Sequence, residues 1–259
     1  MAIQWNKVTW YSKILAIILF VLTFYVGFYL GQKKADLGTN TEVPKKQVVN
    51  NKKPVSISIQ KIKEENFSGT MPIFSGSSNI ASSARAYVKE QVSSFRTQAN
   101  ADVPDMRNKF GADSPVATYT IDINAKYIKN KNTESIVMSM YTYTGGANGN
   151  DVYKVITASL ATGKIITLSN VIKKEEQVAF TEFVKNELNA WRPEGSDVSP
   201  VFPDEVKSLE FNSFTNWSLN DNNMIIYFDK YSIGPGALGA IEFPLPLTEI
   251  NNFIEPGFL

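Results

Sequence analysis

Neither cysteine nor histidine occurs among the 259 residues of this chain. Without cysteine the chain forms no disulfide and has no thiolate nucleophile. Without histidine it lacks imidazole metal ligands and the usual general base of catalytic triads. Carboxylate catalysis, hydroxyl nucleophiles activated by lysine and oxygen-ligand metal sites remain open. We therefore expect a binding protein with no cofactor and no metal, and a carboxylate-based hydrolase is the remaining enzymatic alternative.

Charge is unevenly distributed along the chain. Residues 1–54 contain eight lysines and two acidic residues, whereas residues 55–259 contain 18 basic and 23 acidic residues, a net charge of −5. Nucleic acid is therefore disfavoured as a partner, because phosphate binding needs clustered lysine and arginine. A basic partner fits this balance better, and the alternative is that the charge only keeps the domain soluble.

One apolar run near the N-terminus predicts a membrane anchor. Residues 14–30 read ILAIILFVLTFYVGFYL and carry no charge. A helix of this length spans about 26 Å, which approaches the thickness of a hydrocarbon core. We expect an uncleaved transmembrane helix over residues 14–31, with a cleaved signal peptide as the alternative. Gly27 and Gly31 form a G-x-x-x-G pair that would allow a homodimer through this helix.

The remainder of the chain predicts strands interleaved with two long helices. Apolar residues at helical spacing indicate helices at residues 79–99, after serines able to cap the first turn, and at residues 175–191. Alternating or β-branched runs indicate an opening strand with one buried face at residues 56–62 and an antiparallel meander at residues 117–128, 135–143 and 151–158. They also indicate a short strand at residues 165–168, a late hairpin at residues 216–219 and 224–228, and a closing strand end with a short helix at residues 244–253. The pattern predicts an α+β fold with a largely antiparallel sheet and two main helices, preceded by one N-terminal transmembrane helix.

Two glycine-containing runs are the most distinctive local sequences. Residues 141–150 read YTYTGGANGN, with three glycines in five positions after an aromatic strand. Such a loop needs positive φ angles or a close backbone approach, either as a tight turn or as a loop that contacts a partner. Residues 217–239 read WSLNDNNMIIYFDKYSIGPGALG, and EFPLP follows at residues 242–246.

Together with ATGKI at residues 161–165, these runs resemble a bacterial extracytoplasmic domain pair over roughly residues 55–254. The N-terminal part resembles the module that precedes the catalytic domain in PdaC-type peptidoglycan deacetylases. The C-terminal part resembles the domain of unknown function 3298, and both domains occur in the RsiV lysozyme-sensing anti-sigma factors. The resemblance implies an outward-facing module that binds a cell-wall hydrolase or the wall itself.

Three departures narrow what the resemblance implies. Asn148 stands where the family loop usually has histidine, so a role that needs an ionisable imidazole is lost. The thirteen residues before the apolar run are too few for an anti-sigma domain. Deacetylase chemistry of the PdaC type needs a metal-binding catalytic domain with histidine ligands, and this sequence has no histidine. The binding module alone is what we expect to remain.

The predicted organisation has five segments, with the folded domain outside the cytoplasm of a bacterial cell. The lysines on both sides of the apolar run do not decide the orientation, so the resemblance carries that prediction. We expect a short cytoplasmic N-terminus, a transmembrane helix, a flexible lysine-rich tether, a PdaC-like module and a C-terminal module of the domain of unknown function 3298 type, at residues 1–13, 14–31, 32–54, 55–160 and 161–259.

Two functions remain in competition at this point. The first is recognition of a basic protein partner, such as a lysozyme-type wall hydrolase, by exposed loops. The second is binding of peptidoglycan or another glycan through aromatic rings such as Tyr141. A carboxylate pair of Asp229 with Asp221 or Glu242, and a calcium site formed by oxygens of Asn148, Asn150 and Asp151, are further interpretations. The candidate partner-binding residues are Tyr143, Gly145, Gly146, Asn148, Asn150, Asp229 and Tyr231.

Overall fold

The computed structural model describes residues 55–114, 117–193 and 197–259. The predicted transmembrane helix, the tether and the residues before them lie outside this range. In the described part of the chain, no helix has both the length and the apolar character that a membrane crossing requires. The segment Asn51–Leu259 forms one compact unit.

A six-stranded sheet dominates the first half of this unit, and its strands lie side by side in sequence order. All neighbouring strands are antiparallel except β2 and β3, which run parallel. The prediction of a largely antiparallel sheet with a β3–β4–β5 meander is therefore confirmed. The strands are β1 (Ile57–Lys63), β2 (Phe67–Phe74), β3 (Tyr119–Lys129), β4 (Thr133–Thr144), β5 (Asn150–Ser159) and β6 (Ile165–Ile166).

The parallel pair requires a crossover connection, and helix α1 (Asn79–Phe110) supplies it. The Ser78 side chain accepts a hydrogen bond from the backbone N–H of Ala81 at 3.4 Å, so the predicted serine cap is confirmed. The predicted end of this helix near residue 99 is wrong. The helix continues because Val103 extends its buried face by another turn.

Strand β2 is absent from the sequence-based prediction because Gly69 and Pro72 interrupt it, and both residue types usually mark turns. Gly69 is opposite Ile121 in the parallel pairing. A Cβ atom at Gly69 would overlap the Ile121 backbone. The glycine therefore permits a close approach of the two strands.

The first hydrophobic core lies between α1 and one face of the six-stranded sheet. Strand β1 contributes little to it: Ile62 is buried, whereas Ile59 is 52% exposed. The strand is present where predicted, but its expected buried face is wrong because β1 is an edge strand that leaves most of its side chains in solvent. The buried residues of this core include Ile80, Ala84, Val88, Val92, Phe95, Ile121, Ile123, Ile136 and Met138.

The second half contains a three-stranded antiparallel sheet with helices packed against it. The predicted helix at residues 175–191 and the late hairpin are confirmed, and a short helix at residues 203–208 is an addition. The predicted strand at residues 165–168 stops earlier, because a 3-10 turn begins at Leu168. The elements are α2 (Gln177–Ala190), α3 (Pro203–Ser208), β7 (Trp217–Leu219), β8 (Asn223–Phe228), β9 (Ile241–Pro246) and α4 (Leu247–Ile250).

A second core belongs to this half and surrounds the buried residues Phe180 and Phe214. A third, smaller cluster joins the two halves through Val137, Val155 and Tyr227. The compact unit therefore contains two main cores in contact through one apolar junction. The predicted domain boundary between residues 160 and 161 stays a prediction.

Candidate binding surface

The N-terminal part of β5 has no strand partner on its outer side, because β6 pairs only with its C-terminal end. Side chains of the second half take that place. Asp229 Oδ1 accepts a hydrogen bond from the Tyr153 N–H at 2.7 Å. Asn216 Oδ1 accepts one from the Val155 N–H at 3.0 Å, and its Nδ2 donates to the Tyr153 carbonyl at 3.0 Å. The exposed edge of the sheet is thus closed by side chains.

Lys230 connects the two loops that the sequence singles out. Its backbone N–H donates to the Asp151 carbonyl at 2.9 Å, and its Nζ donates to the Gly149 carbonyl at 2.7 Å. The same Nζ is 3.8 Å from Asp151 Oδ2, and the side chain is only 11% exposed. Loop 145–149 and the segment after β8 are therefore held together by one partly buried cation. Lys230 is not recognisable from the sequence, because a lysine in a loop gives no signal of burial.

Tyr141 and Gly149 form a local packing unit at the start of this loop. A Cβ atom at Gly149 would overlap the Tyr141 ring, so the ring lies directly on the glycine backbone. Tyr141 remains 37% exposed. The glycine thus places an aromatic ring at the surface with one side supported by protein.

Tyr231 is presented in a similar way on the neighbouring loop. It is 54% exposed, and its ring lies against Gly236, where a Cβ would overlap the ring. The Lys230 Nζ is 5.4 Å from the ring centroid, which is within cation–π range. Among the described residues, Tyr231 is the only non-glycine residue with positive φ, at 70°. This left-handed conformation is costly for a tyrosine, and such positions concentrate at functional sites.

A third aromatic residue lies beside the same loop and was not identified from the sequence. The Phe202 N–H donates to the Ile233 carbonyl at 2.8 Å, and the Phe202 side chain is 46% exposed. We call the exposed rings of Tyr141, Phe202 and Tyr231, together with loop 145–149, the aromatic surface. An exposed large apolar residue next to a loop rich in glycine is not recognisable without the tertiary contact.

The structure brings the predicted binding residues close together but gives them different roles. Asp229 supports β5 rather than acting as a free carboxylate, and Tyr143 lies near the end of β4, opposite Thr120. The positions of the others are as follows: Gly145 has a positive φ of 82°, Gly146 and Asn148 are exposed in the loop, Asn150 is exposed at the start of β5, and Tyr231 is exposed on the second loop.

Of the three carboxylates suggested for a catalytic pair, Asp221 is exposed in the turn between β7 and β8, and the other two are engaged in contacts with protein groups. Glu242 binds Lys126 with an Nζ–Oε2 distance of 2.6 Å and accepts a hydrogen bond from the Tyr153 hydroxyl at 3.2 Å. Asp229 holds the edge of β5 as described above. In residues 55–114, 117–193 and 197–259, no group of three or more acidic, histidine or cysteine side chains is placed to hold a metal ion.

Two phenols, the buried Tyr227 and the half-buried Tyr153, lie where the halves meet. Burial, followed by the nearby Glu242 carboxylate, raises the pKa of Tyr153. Burial also raises the pKa of Tyr227 to about 12, although its hydrogen bond with Ser218 acts in the opposite direction. The two rings pack with centroids 5.0 Å apart. Both hydroxyl groups therefore stay protonated at neutral pH and remain hydrogen-bonding groups of the junction.

Comparison with known proteins identifies the class of each half. Residues 60–151 match the family model described as deacetylase PdaC, and residues 169–248 match the one described as protein of unknown function (DUF3298). These are the two families that the sequence resembles. The two matches indicate a cell-envelope-related module.

A curated relative is the peptidoglycan-N-acetylmuramic acid deacetylase PdaC of Bacillus subtilis (strain 168). It is 19% identical over 204 residues, which cover 75% of this chain and 40% of that protein. This chain therefore corresponds to less than half of the deacetylase.

Solved structures support the fold. A DUF3298 family member from Bacteroides fragilis has a TM-score of 0.54 at 15% identity and aligns over 78% of this chain and 94% of its own. A DUF3298 family protein from Pseudomonas aeruginosa has a TM-score of 0.50 at 15% identity, over 80% and 96% of the two chains. At this level of identity the similarity concerns the fold.

Proposed function

We propose that this chain is a non-enzymatic binding module of the cell envelope, anchored by residues 14–31 with its folded domain outside the cytoplasm. It recognises a basic protein partner, such as a lysozyme-type wall hydrolase, through the aromatic surface. The observation that carries this proposal is the presentation of Tyr141 and Tyr231 as exposed rings, each supported by a glycine.

The aromatic surface has the composition of a protein-binding site. Aromatic side chains are enriched among residues that dominate binding energies, and they lose little conformational entropy when they are already held in place. Tyr141, Phe202 and Tyr231 are all more than a third exposed. The hydrogen bonds of Lys230 to Gly149 and Asp151 hold the two loops in a fixed relation, so a partner would meet a preorganised surface.

The charges bordering the aromatic surface favour a basic partner. Asp151 is 36% exposed, and Asp204 and Glu205 are exposed in the first turn of α3, directly after Phe202. Lys230 is largely buried and already bound to Gly149 and Asp151. The net charge of −5 over residues 55–259 acts in the same direction and would steer a cationic protein towards this side.

The relatives add support for the envelope context and for a role without catalysis. The deacetylase relative is named for peptidoglycan, and the sequence resembles the lysozyme-sensing anti-sigma factors. Metal-dependent deacetylation would need histidine ligands, and none occurs in this sequence. A binding role needs only the two segments that this chain shares with these proteins.

The direct test is a titration of the full-length chain, solubilised in detergent, against hen-type lysozyme and a panel of wall hydrolases. We expect binding that weakens by about tenfold when the salt concentration rises from about 50 mM to about 500 mM, because the charge attraction is screened. Tyr231→Ala should weaken binding by about tenfold or more, since an exposed central tyrosine is a typical dominant contact.

The matched control is Ile59→Ala, which removes a similarly exposed apolar side chain from β1, the strand farthest from β5 on that side of the sheet. This variant should bind like the unchanged chain. Equal losses in Tyr231→Ala and Ile59→Ala, or no binding to any hydrolase in the panel, would contradict the proposal.

A glycan-binding role is the second candidate, and one observation favours it. The register of β3 and β4 places Asp122 opposite Tyr141 and Thr120 opposite Tyr143, so hydroxyl and carboxylate groups accompany aromatic rings on one sheet face. Sugar rings stack on aromatic side chains while their hydroxyls bind such groups. Competition by soluble muropeptides, with weak dependence on salt, would support this role over protein recognition.

A further inference from the structure

A cleft of about 780 Å³ lies between the two halves of the molecule, and none of its lining residues belongs to the aromatic surface. One wall is the N-terminal half of α1, the floor is β5 with β6, and the opposite wall is the 3-10 turn Phe211–Ser213. A volume of this size is typical of sites for small ligands, and such sites often lie where two structural units meet.

The floor and the far wall of the cleft are apolar. Ile165 is 44% exposed there, and Ile166 and Phe211 line the cleft beside it. On the α1 side, the small side chain of Ala86 leaves space in the cleft, and the half-buried Tyr87 lines it as well. An apolar side chain of about the size of leucine would replace water over Ile165, which is a favourable exchange.

Two opposite charges border the apolar residues of the cleft. Glu90 on α1 and Lys154 on β5 both line the cleft. Neither forms an ion pair or a hydrogen bond within the described part of the chain, whereas the four described ion pairs involve other residues. Burial, followed by Asp229 and Glu90, raises the pKa of Tyr87, so its hydroxyl remains a hydrogen-bond donor beside Glu90.

The edge of β5 that borders the cleft is closed to strand addition. The N–H groups of Tyr153 and Val155 are already bound by Asp229 and Asn216. A ligand in the cleft must therefore be recognised through side chains. Amide groups suit the polar side chains that remain, which include the Tyr87 hydroxyl, Asn212 and Thr215.

We propose that this cleft binds a short peptide that carries both a free amino group and a free carboxylate. The amino group pairs with Glu90, the carboxylate pairs with Lys154, and an apolar side chain packs on Ile165, Ile166 and Phe211. Three extended residues span about 10 Å, which suits a cleft of this volume. A purely apolar ligand would leave both charges facing it, and an anionic ligand would leave Glu90 opposed by a like charge.

The test uses the full-length chain and the tripeptide Ala-Leu-Ala as the probe, in its free form and in an N-acetylated, C-amidated form. Calorimetry or chemical-shift titration should give a dissociation constant for the free form that is at least about tenfold lower than that of the capped form. Glu90→Gln should remove most of this preference, and it should fold normally because Glu90 is exposed.

Ala86→Trp fills the cleft and should abolish binding of the free tripeptide. Its control is Lys89→Trp, which places the same ring on an exposed position of α1 that does not line the cleft. Equal affinity for free and capped peptide, no binding of either, or an unchanged preference in Glu90→Gln would overturn the proposal. Hydrolase binding by these variants should stay unchanged, so failure here leaves the role of the aromatic surface intact.

Discussion

Lys230 joins two loops that are 81 residues apart in the chain, and it does so with one backbone and one side-chain hydrogen bond. Its cation is the only partner described for the Gly149 carbonyl, and it also neutralises part of the Asp151 charge. A single residue therefore decides whether the aromatic surface is one rigid unit or two independent loops.

We predict that Lys230→Met lowers the free energy of unfolding by about 2–3 kcal/mol, because a partly buried carbonyl loses a charged donor. Amide exchange in loop 145–149 should accelerate at the same time. Denaturant titration and hydrogen exchange measure the two effects. The control is Lys185→Met, which removes a helix-surface pair with Glu182 and should cost less than about 0.5 kcal/mol. Similar losses in both variants would argue against the role of Lys230.

Two glycines of the same loop should respond differently to alanine. Gly149→Ala forces the Tyr141 ring away from its position, and we expect a loss of about 1–3 kcal/mol from this overpacking. Gly146→Ala adds a methyl group whose nearest neighbour is the Asn148 carbonyl at 3.9 Å, an ordinary contact. Its effect should stay within about 0.5 kcal/mol. Thermal unfolding with tyrosine fluorescence compares them, and a reversed order would contradict this packing.

Residue-level prediction from the sequence succeeded where backbone chemistry is unusual. The glycine loop and the exposure of Tyr231 were recognisable, because glycines and aromatic residues in a polar loop are visible in the sequence itself. Lys230 and Phe202 were not recognisable, because their importance arises from contacts with distant segments. Asp229 was assigned to the surface for the same reason, although its carboxylate holds the edge of β5.

At the scale of elements, the outer edge of β5 receives from the Asn216 side chain the hydrogen bonds that a neighbouring strand would normally provide. We predict that Asn216→Ala lowers the free energy of unfolding by about 2–4 kcal/mol, because two backbone groups on β5 lose their partner. The Val155 N–H should exchange faster with solvent. Asn212→Ala is the matched control, since Asn212 is exposed on the neighbouring 3-10 turn. An equal effect of the two changes would refute a role of Asn216 as an edge cap.

Helices and strands whose apolar residues recur at a regular spacing were predictable from the sequence, and elements in which glycine or proline interrupts that spacing were not. The meander and the late hairpin follow from runs of β-branched and aromatic residues between polar turns. Strand β2 contains Gly69 and Pro72, whose presence is explained only by its close parallel contact with β3 and by its place in the sheet. Helix α1 runs through Pro104, with Val103 buried before it and the partly buried Met106 packed against the core after it.

At the scale of the whole molecule, Tyr227 at the junction of the two halves and Tyr119 in the first core have hydroxyls that prefer to stay protonated. Burial raises the pKa of Tyr227 to about 12, and burial with Asp102 raises that of Tyr119 to about 12, from an ordinary value of 10. A folded-state pKa above the unfolded value gives stability that is complete below about pH 10 and is lost as the pH rises towards 12. Stability measured by urea unfolding should therefore fall steeply above pH 10.

The control for this pH dependence is the double variant Tyr119→Phe and Tyr227→Phe, which removes two of the titrating groups. Its stability at pH 8 will be lower because hydrogen bonds to Asp102 and Ser218 are lost. Its further loss above pH 10 should be shallower than that of the unchanged chain. Parallel curves would show that other groups control alkaline unfolding.

The sequence predicted an acidic α+β domain but not how its two parts combine. The acidic balance follows from counting residues, and the fold class follows from the order of helices and strands. The junction depends on pairs such as Lys126 with Glu242, which are 116 positions apart and have no local signature. Long-range pairs of this kind are specified by tertiary packing rather than by any pattern in a short window.

The closed edge of β5 has a consequence for how this protein can be divided. If a gene fragment encoded only the first half, ending after β6, Asp229 and Asn216 would be missing, and Tyr153 and Val155 would offer unpaired N–H groups to any neighbouring strand. Such an edge recruits other chains and promotes aggregation. The two halves are therefore expected to be inherited together. Truncations and fusions of the chain should be tolerated only when their end points lie outside both halves.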